Sequence, residues 1–334
     1  MCGISGIFNP GQAPVSPDSV RNMLKQIQYR GPDESGIYMG QGVGLGSVRL
    51  SIIDLAQGQQ PMSDEEEEFW IVFNGEIFNY IELKAELLEL GYRFRTGSDT
   101  EVLLKLFKHY REKCLEKLNG QFAFAIWDTR RKELFLGRDR VGIRPLFYYR
   151  EEGTFVFGSE IKCLMESGHV KAEPNPETLN QVFTFWTIPT PGTMFKGVKE
   201  LPPGHYMVVR DHETIIKPYW ELRFQGDPGS AGSASLSDSM EEFEAILSDS
   251  VRLRLRADVP VAAYLSGGID SSATTWLIKQ IEPGVLNTFS LGFESKEFDE
   301  TVFQQSVAKQ LDTNHRSIIC KDSDVADNFA QVLW

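Results

Sequence analysis

The second residue is a cysteine, and its position matters as much as its type. A thiolate is a strong nucleophile near neutral pH, but a thiol needs a base or a depressed pKa to become one. Removal of Met1, which a small following side chain permits, leaves a free α-amine on the same residue as the sulfur. That amine has a reference pKa of about 8 and can take up the thiol proton, the arrangement that N-terminal threonine nucleophiles use. Gly3 and Gly6 are expected to let the backbone pass close to a substrate. Taken alone, Cys2 reads more simply as a small apolar residue opening a buried strand over residues 4–8.

A second chemistry-bearing run is Ser266-Gly267-Gly268-Ile269-Asp270-Ser271, set between an apolar strand at 261–265 and a helix from Ser272 onward. A strand, a Gly-rich turn and a helix N-terminus together make an anion site, because backbone N–H groups and hydroxyls converge there. It is not a Walker A loop, since no Gly-Lys-Ser/Thr follows, and it is not a dinucleotide fingerprint, since G-x-G-x-x-G is absent. Other polar residues have everyday explanations when met singly. Asn74-Gly75 is the common signature of a type I′ hairpin turn. Asp99 suits the positive end of a helix, and Arg49 suits an exposed strand position.

The elements that must position these groups follow from periodicity. Ser16-Pro17 opens a helix carrying Val20, Met23, Leu24 and Ile27. A second follows Asn79, with Leu83, Leu87 and Leu90 inward and Gly91 as its stop. A third starts at Ser98-Asp99-Thr100-Glu101, which reads as a capping box. Strand-like runs occupy 43–53, 70–74, 122–128, 133–138, 146–150 and 154–158. Many strands with few helices suggest stacked sheets with helices outside, an α+β plan.

The composition then shifts. Residues 225–237 are Gly/Ser-rich and read as a flexible linker. Beyond them helix (240–255), strand (261–265), helix (272–281), strand (286–293), helix (300–311) and strand (316–320) alternate, which indicates a parallel sheet with crossover helices. The 334 residues therefore divide into a domain at 2–220, a linker at 221–238 and a second domain from 239 to the last residue.

The chain is 41% hydrophobic and 24% charged, with four scattered cysteines and no C-x-x-C pair. That pattern argues against a disulfide framework or a zinc site and fits a reducing cytoplasm. The formal net charge of −13 argues against nonspecific contacts with nucleic acid or anionic membranes. No apolar run is long enough to span a bilayer, and the N-terminus lacks the pattern of a secretory signal. The acidic run 64–68 is expected to be a solvated loop between two strands rather than a metal cluster, because neighbouring strand residues point to opposite faces.

Five motifs occur in one order: Met1-Cys2-Gly3-Ile4, Tyr29-Arg30-Gly31-Pro32-Asp33, residues 49–54, Phe73-Asn74-Gly75-Glu76 and residues 97–101. Together they resemble the class II glutamine amidotransferase domain, whose fold is the four-layer αββα sandwich of the N-terminal nucleophile hydrolases. With the Ser266–Ser271 loop downstream, the whole chain resembles the glutamine-hydrolysing asparagine synthetases. The fold so implied is this sandwich followed by the start of an α/β nucleotide-binding domain.

The resemblance assigns roles. Cys2 is the nucleophile, and the Asn74 side chain and Gly75 N–H face the tetrahedral oxyanion. Arg49 takes the α-carboxylate of glutamine and Asp99 its α-ammonium, while Leu50, Ser51, Ile52, Ile53 and Glu76 line the pocket. Downstream, Leu265 and Leu291 meet the adenosine end of ATP. Ser266, Gly267, Gly268, Asp270 and Ser271 grip its phosphates, with magnesium entering as part of the substrate complex, its protein ligands unassigned, and no prosthetic group. Arg30–Asp33 is expected to shape a loop beside the site, without a chemical role.

The implied reaction turns aspartate into an acyl adenylate, which ammonia released at Cys2 then converts to asparagine. Glutamine, aspartate and ATP are thus the partners, and a homodimer is compatible with the resemblance. Family members usually run on well past position 334, so the chain is expected to be a truncated form with an unpaired sheet edge and an uncovered apolar face. Two alternatives stand beside this reading: an ATP-dependent amidotransferase with a sugar, peptide or antibiotic-precursor acceptor, and a fragment that only hydrolyses glutamine or only binds.

Overall fold

The computed structural model describes residues 2–151, 153–211, 213–224 and 235–333. The chain forms two compact units, Met1–Gln225 and Gly226–Trp334. Most of the Gly/Ser-rich run expected as a linker lies outside the described residues.

The first unit begins with β1 (Gly3–Phe8), α1 (Pro17–Gln26), β2 (Glu34–Gly40), β3 (Val43–Arg49), β4 (Met62–Ser63) and β5 (Phe69–Ile77). Next come α2 (Tyr80–Glu89), α3 (Asp99–Tyr110), α4 (Cys114–Lys117), β6 (Gly120–Asp128), β7 (Glu133–Arg138), β8 (Phe147–Glu151) and β9 (Thr154–Gly158). It closes with α5 (Ile161–Met165), α6 (Pro176–Phe185), β10 (Val198–Glu200), β11 (His205–Val209) and β12 (Thr214–Pro218).

The strands make two six-stranded sheets, ordered β10-β8-β9-β1-β3-β2 and β12-β11-β7-β6-β5-β4. Side-chain alternation assigns the layers. In β1, Ile4 and Phe8 join Val72, Ala123, Ala125 and Trp127 in a core between the sheets, while Ile7 packs with Val20, Met23 and Leu24 of α1. In β5, Ile71, Phe73 and Ile77 turn the other way, onto Leu83, Leu103 and Phe107 of the helices. Each such apolar side chain contributes about 1.5–3 kcal/mol on burial. The order of layers is helix, sheet, sheet, helix, as the resemblance implies.

Several local expectations change. The strand expected at 43–53 stops at Arg49, and residues 50–54 turn into a loop wrapped around that side chain. Leu90, expected inward, is exposed, whereas Leu83 and Leu87 are buried. Only half of the capping box forms: Ser98 accepts from the Thr100 N–H, but the Glu101 carboxylate turns to the N–H groups of Arg95 and Thr96. Gly3 and Gly6 serve packing rather than a substrate. A Cβ on Gly3 would stand 2.9 Å from Ile27, and one on Gly6 would stand 2.3 Å from Phe157. The acidic run does lie between β4 and β5, yet Asp64 is buried, 2.7 Å from Lys108 Nζ. No group of three metal-ligating side chains occurs among the described residues.

The second unit contains α7 (Leu236–Arg254), β13 (Ala262–Tyr264), α8 (Ile269–Ile281), β14 (Asn287–Phe293), α9 (Thr301–Gln310), β15 (Asn314–Cys320) and α10 (Asp322–Leu333). β13, β14 and β15 pair in parallel with β14 in the middle, so the alternating rhythm was read correctly. α7 starts at Leu236 rather than 240, and α8 at Ile269 rather than Ser272. Among the described residues β15 is an edge strand with Ile318 and Ile319 exposed, and α10 likewise exposes Val325, Phe329 and Val332.

Candidate active site

Cys2 leads into β1, which lies between β9 and β3 in its sheet. Asn74 shares a face of β5 with Val72 and therefore points into the space between the two sheets. A cavity of about 170 Å3 opens there, lined by Cys2, Arg49, Leu50, Ile52, Ile53, Gln60, Phe73, Asn74, Gly75, Glu76, Ser98, Asp99, Thr100 and Arg144. Residues more than 90 positions apart in sequence thus meet around one space the size of a small amino acid.

The thiol of Cys2 points at the Leu50 carbonyl, 3.6 Å away. Burial pushes its pKa up, against the Leu50 contact and the nearby Arg49 charge, while the Asp99 carboxylate adds to the rise. The sulfur is therefore protonated near neutral pH and needs a base. No histidine or lysine lines the cavity.

Asn74 is fully buried, and neither its Oδ1 nor its Nδ2 has a hydrogen-bond partner. A buried amide left unmet costs about 1–3 kcal/mol, so such a group is usually held for something that arrives later. Asn74-Gly75 is no hairpin turn: both residues lie inside β5, paired with Ala123 and Phe122. A Cβ on Gly75 would fall 2.1 Å from the Gln121 carbonyl oxygen and 2.7 Å from Phe122 Cα. Only glycine fits this strand pair.

Arg49 is buried, and its Nη2 donates to the carbonyls of Ile53 (2.9 Å) and Asp54 (2.8 Å), while Nη1 pairs with Glu34 (3.0 Å). The Arg30–Asp33 segment supports it. Asp33 N–H donates to the Arg49 carbonyl, and the Asp33 carboxylate takes the Ser51 N–H at 2.8 Å. Ser51 itself is not among the residues that line the cavity. The Asp99 carboxylate, at the start of α3, accepts from the Ile77 N–H at 3.0 Å. Burial raises its pKa to about 6, with Ile77 pulling the other way and the Glu76 carboxylate reinforcing the rise.

Arg144 was not anticipated from the sequence. It is nine-tenths buried against the cavity, its Nε has no partner, and burial lowers its pKa. The loop carrying it is folded around Asp139, whose carboxylate accepts from the N–H groups of Phe122, Val141, Ile143 and Arg144. A buried acid just past the end of β7 was the available signal. Gln60 was also missed; its Oε1 accepts from the Phe73 N–H at 2.7 Å.

In the second unit, the Ser266 N–H donates to Ser271 Oγ at 3.1 Å, the two hydroxyls lie 2.9 Å apart, and the Gly268 N–H donates to Ser266 Oγ at 3.3 Å. Gly267 has φ +86°, and a Cβ there would meet Phe303 and the Gln304 N at 2.8 and 2.9 Å. Because α8 starts at Ile269, Asp270 and Ser271 belong to its first turn and not to the loop. Asp270 is exposed. The Leu265 side chain is buried, whereas Leu291 is exposed.

An αββα sandwich with a cysteine leading into an inner strand, beside a small cavity that also holds an unpaired amide, is the setting in which the glutamine amidotransferase domain family model matches residues 1–220. The asparagine synthase family model matches residues 242–334. The chain belongs to the glutamine-hydrolysing asparagine synthetase family. It is 38% identical over 338 residues to glutamine-hydrolyzing asparagine synthetase 1 of Bacillus subtilis, covering 100% of this chain and 52% of that protein. It is 33% identical to amidase chry2 of Gibberella zeae, covering 100% of this chain and 53% of that one. The chain thus spans about half the length of these curated relatives. The fold resembles glutamine phosphoribosylpyrophosphate amidotransferase of B. subtilis, with TM-score 0.52 and 16% identity over 96% of this chain and 81% of that one. No helix among the described residues is long and apolar enough to cross a membrane.

Proposed function

We propose that residues 2–220 hydrolyse glutamine at Cys2 and that the chain is the glutamine-using part of an enzyme that makes an amide at the expense of ATP. The observation that carries this reading is the buried, unpartnered Asn74 amide in one cavity with the Cys2 thiol, Arg49 and Asp99. With Met1 removed, the α-amine of Cys2 takes the thiol proton as sulfur attacks the side-chain carbonyl carbon of glutamine. The oxyanion accepts from Asn74 Nδ2 and the Gly75 N–H. The tetrahedral adduct collapses with protonation of its nitrogen, ammonia leaves, and water cleaves the thioester to release glutamate. Arg49 faces the α-carboxylate, and Asp99, charged above about pH 6, faces the α-ammonium. Arg144 places a second positive charge at the cavity wall.

In the second unit the Ser266–Ser271 turn and the start of α8 offer N–H and hydroxyl donors to the phosphates of ATP, with magnesium carried in on the nucleotide. Aspartate is the acceptor we favour, activated as β-aspartyl-AMP, because the matched relatives include asparagine synthetases. A different acceptor is the second reading, supported by the equally full-length match to a protein named an amidase.

The test is glutamate release from glutamine by protein whose N-terminus mass spectrometry shows to be Cys2. Cys2→Ala abolishes release. Wild-type protein so verified that releases no glutamate overturns the proposal. Pyrophosphate release that responds to another acceptor but not to aspartate selects the second reading.

A further inference from the structure

Removal of Met1 leaves residue 2 tethered to the chain on one side only, while its sulfur and its amine must both stay in register with a bound amide. Something has to hold its carbonyl end. The structure supplies Arg30, whose Nε donates to the Cys2 carbonyl oxygen at 3.0 Å. The Arg30 side chain is 8% exposed, and its Nη1 is fixed by Glu160 Oε1 at 2.7 Å.

Glu160 stands at the N-cap of α5, and its side chain makes no capping bond, leaving the carboxylate for other partners. Its carboxylate reaches across 130 positions to Arg30, also accepts from the Tyr29 hydroxyl, and lies 3.3 Å from Lys162 Nζ. Burial would raise its pKa, but the bonds from Tyr29 and Arg30 hold it below the usual carboxylate range. The preceding residue ties down the same strand: Ser159 Oγ accepts from the Ile4 N–H at 3.0 Å, and the Ser159 N–H donates to the Ile4 carbonyl at 2.9 Å.

We infer that Glu160 is a positioning residue for the nucleophile, acting through Arg30 to hold the Cys2 carbonyl and so the angle at which thiol and amine present themselves. Glu160 is not among the residues that line the cavity. The inference deepens the glutamine-hydrolysing reading and rests on it. Its effect falls on the rate of attack rather than on binding, since Arg49 and Asp99 are fixed by other partners. A misplacement of about 1 Å costs on the order of 100-fold in rate.

The test compares wild type, Glu160→Gln and Glu160→Ala in the full chain. Active sites are titrated with an electrophilic glutamine analogue, and hydrogen–deuterium exchange is read on the peptide spanning residues 2–8. Glu160→Ala is expected to lower kcat per titrated site about 10- to 100-fold, with KM for glutamine within about threefold, and to speed exchange in that peptide. Glu160→Gln keeps an acceptor for Tyr29 and Arg30 and is expected to fall in between. Unchanged kcat per titrated site, or unchanged exchange in residues 2–8, overturns the inference. If Glu160→Ala does not fold, Glu160→Gln decides on the same two readouts. If verified wild type releases no glutamate, the functional reading has failed, and the exchange result alone still decides whether Glu160 holds the nucleophile strand.

Discussion

Replacing Asn74 with alanine separates what this side chain does for the reaction from what it does for the fold. Its amide oxygen and nitrogen are both buried and both unpartnered, so in the free protein it is a liability. Removing an unmet buried amide recovers about 1–3 kcal/mol. The void left behind takes back about 1 kcal/mol, little of it new strain because the residue already borders an open cavity. The net change is a gain of roughly 0–2 kcal/mol, which for a unit of this size raises Tm by up to about 8 °C at about 2–4 °C per kcal/mol. Catalysis moves the other way. Loss of one oxyanion donor costs about 2.7–4 kcal/mol of barrier, a drop of roughly 100- to 1,000-fold in kcat. The assay pairs steady-state glutamate release with a thermal melt of the same preparation. A variant that melts several degrees below wild type, or that keeps more than about a tenth of its kcat, refutes the reasoning that Asn74 is held unpaired for the transition state.

Two further outcomes follow from the same cavity. Burial raises the Asp99 carboxyl pKa to about 6 in the folded chain from an ordinary value of 3.8, so the folded state binds the proton more tightly than the unfolded state. Its contribution to stability is therefore complete below about pH 4 and is lost as pH climbs through about 6, whereas glutamine needs the charged form. Asp99→Asn is expected to flatten that part of the Tm-against-pH curve and to raise KM for glutamine at pH 7.5; a KM that does not move removes Asp99 from ammonium recognition. Arg49→Lys is expected to raise KM by about 10-fold or more, since a point charge replaces a planar fork, and to lower Tm because Ile53, Asp54 and Glu34 lose their donors; kinetics showing an unchanged KM exclude Arg49 from carboxylate binding.

What the residues offered in advance were motifs and elements that are local in sequence. Cys2, Asn74-Gly75 and the Ser266–Ser271 turn carry their meaning within a few positions, and helix periods placed α1, α2 and α3 to within a residue or so. Asn74-Gly75 had a commoner reading as a turn, and only the β5–β6 pairing shows why glycine is obligatory there. What escaped was contact between distant segments. Arg144 reaches the cavity because Asp139 folds the loop after β7, and Glu160 reaches Arg30 because β9 ends beside β1. Neither arrangement has a period or a spacing. Ser51 lies within a motif whose neighbours line the cavity, yet it is set back from it, with its N–H given to the Asp33 carboxylate.

The placement of β1 between two hydrogen-bonded neighbours has a practical corollary for anyone handling this protein. Cys2, the residue just ahead of this strand, lines the cavity, so on the proposed function anything fused ahead of it is expected to compete with the substrate for the same room. If the proposed function holds, trimming of the terminus and entry to the pocket are one event, and an affinity handle belongs at the far end of the polypeptide.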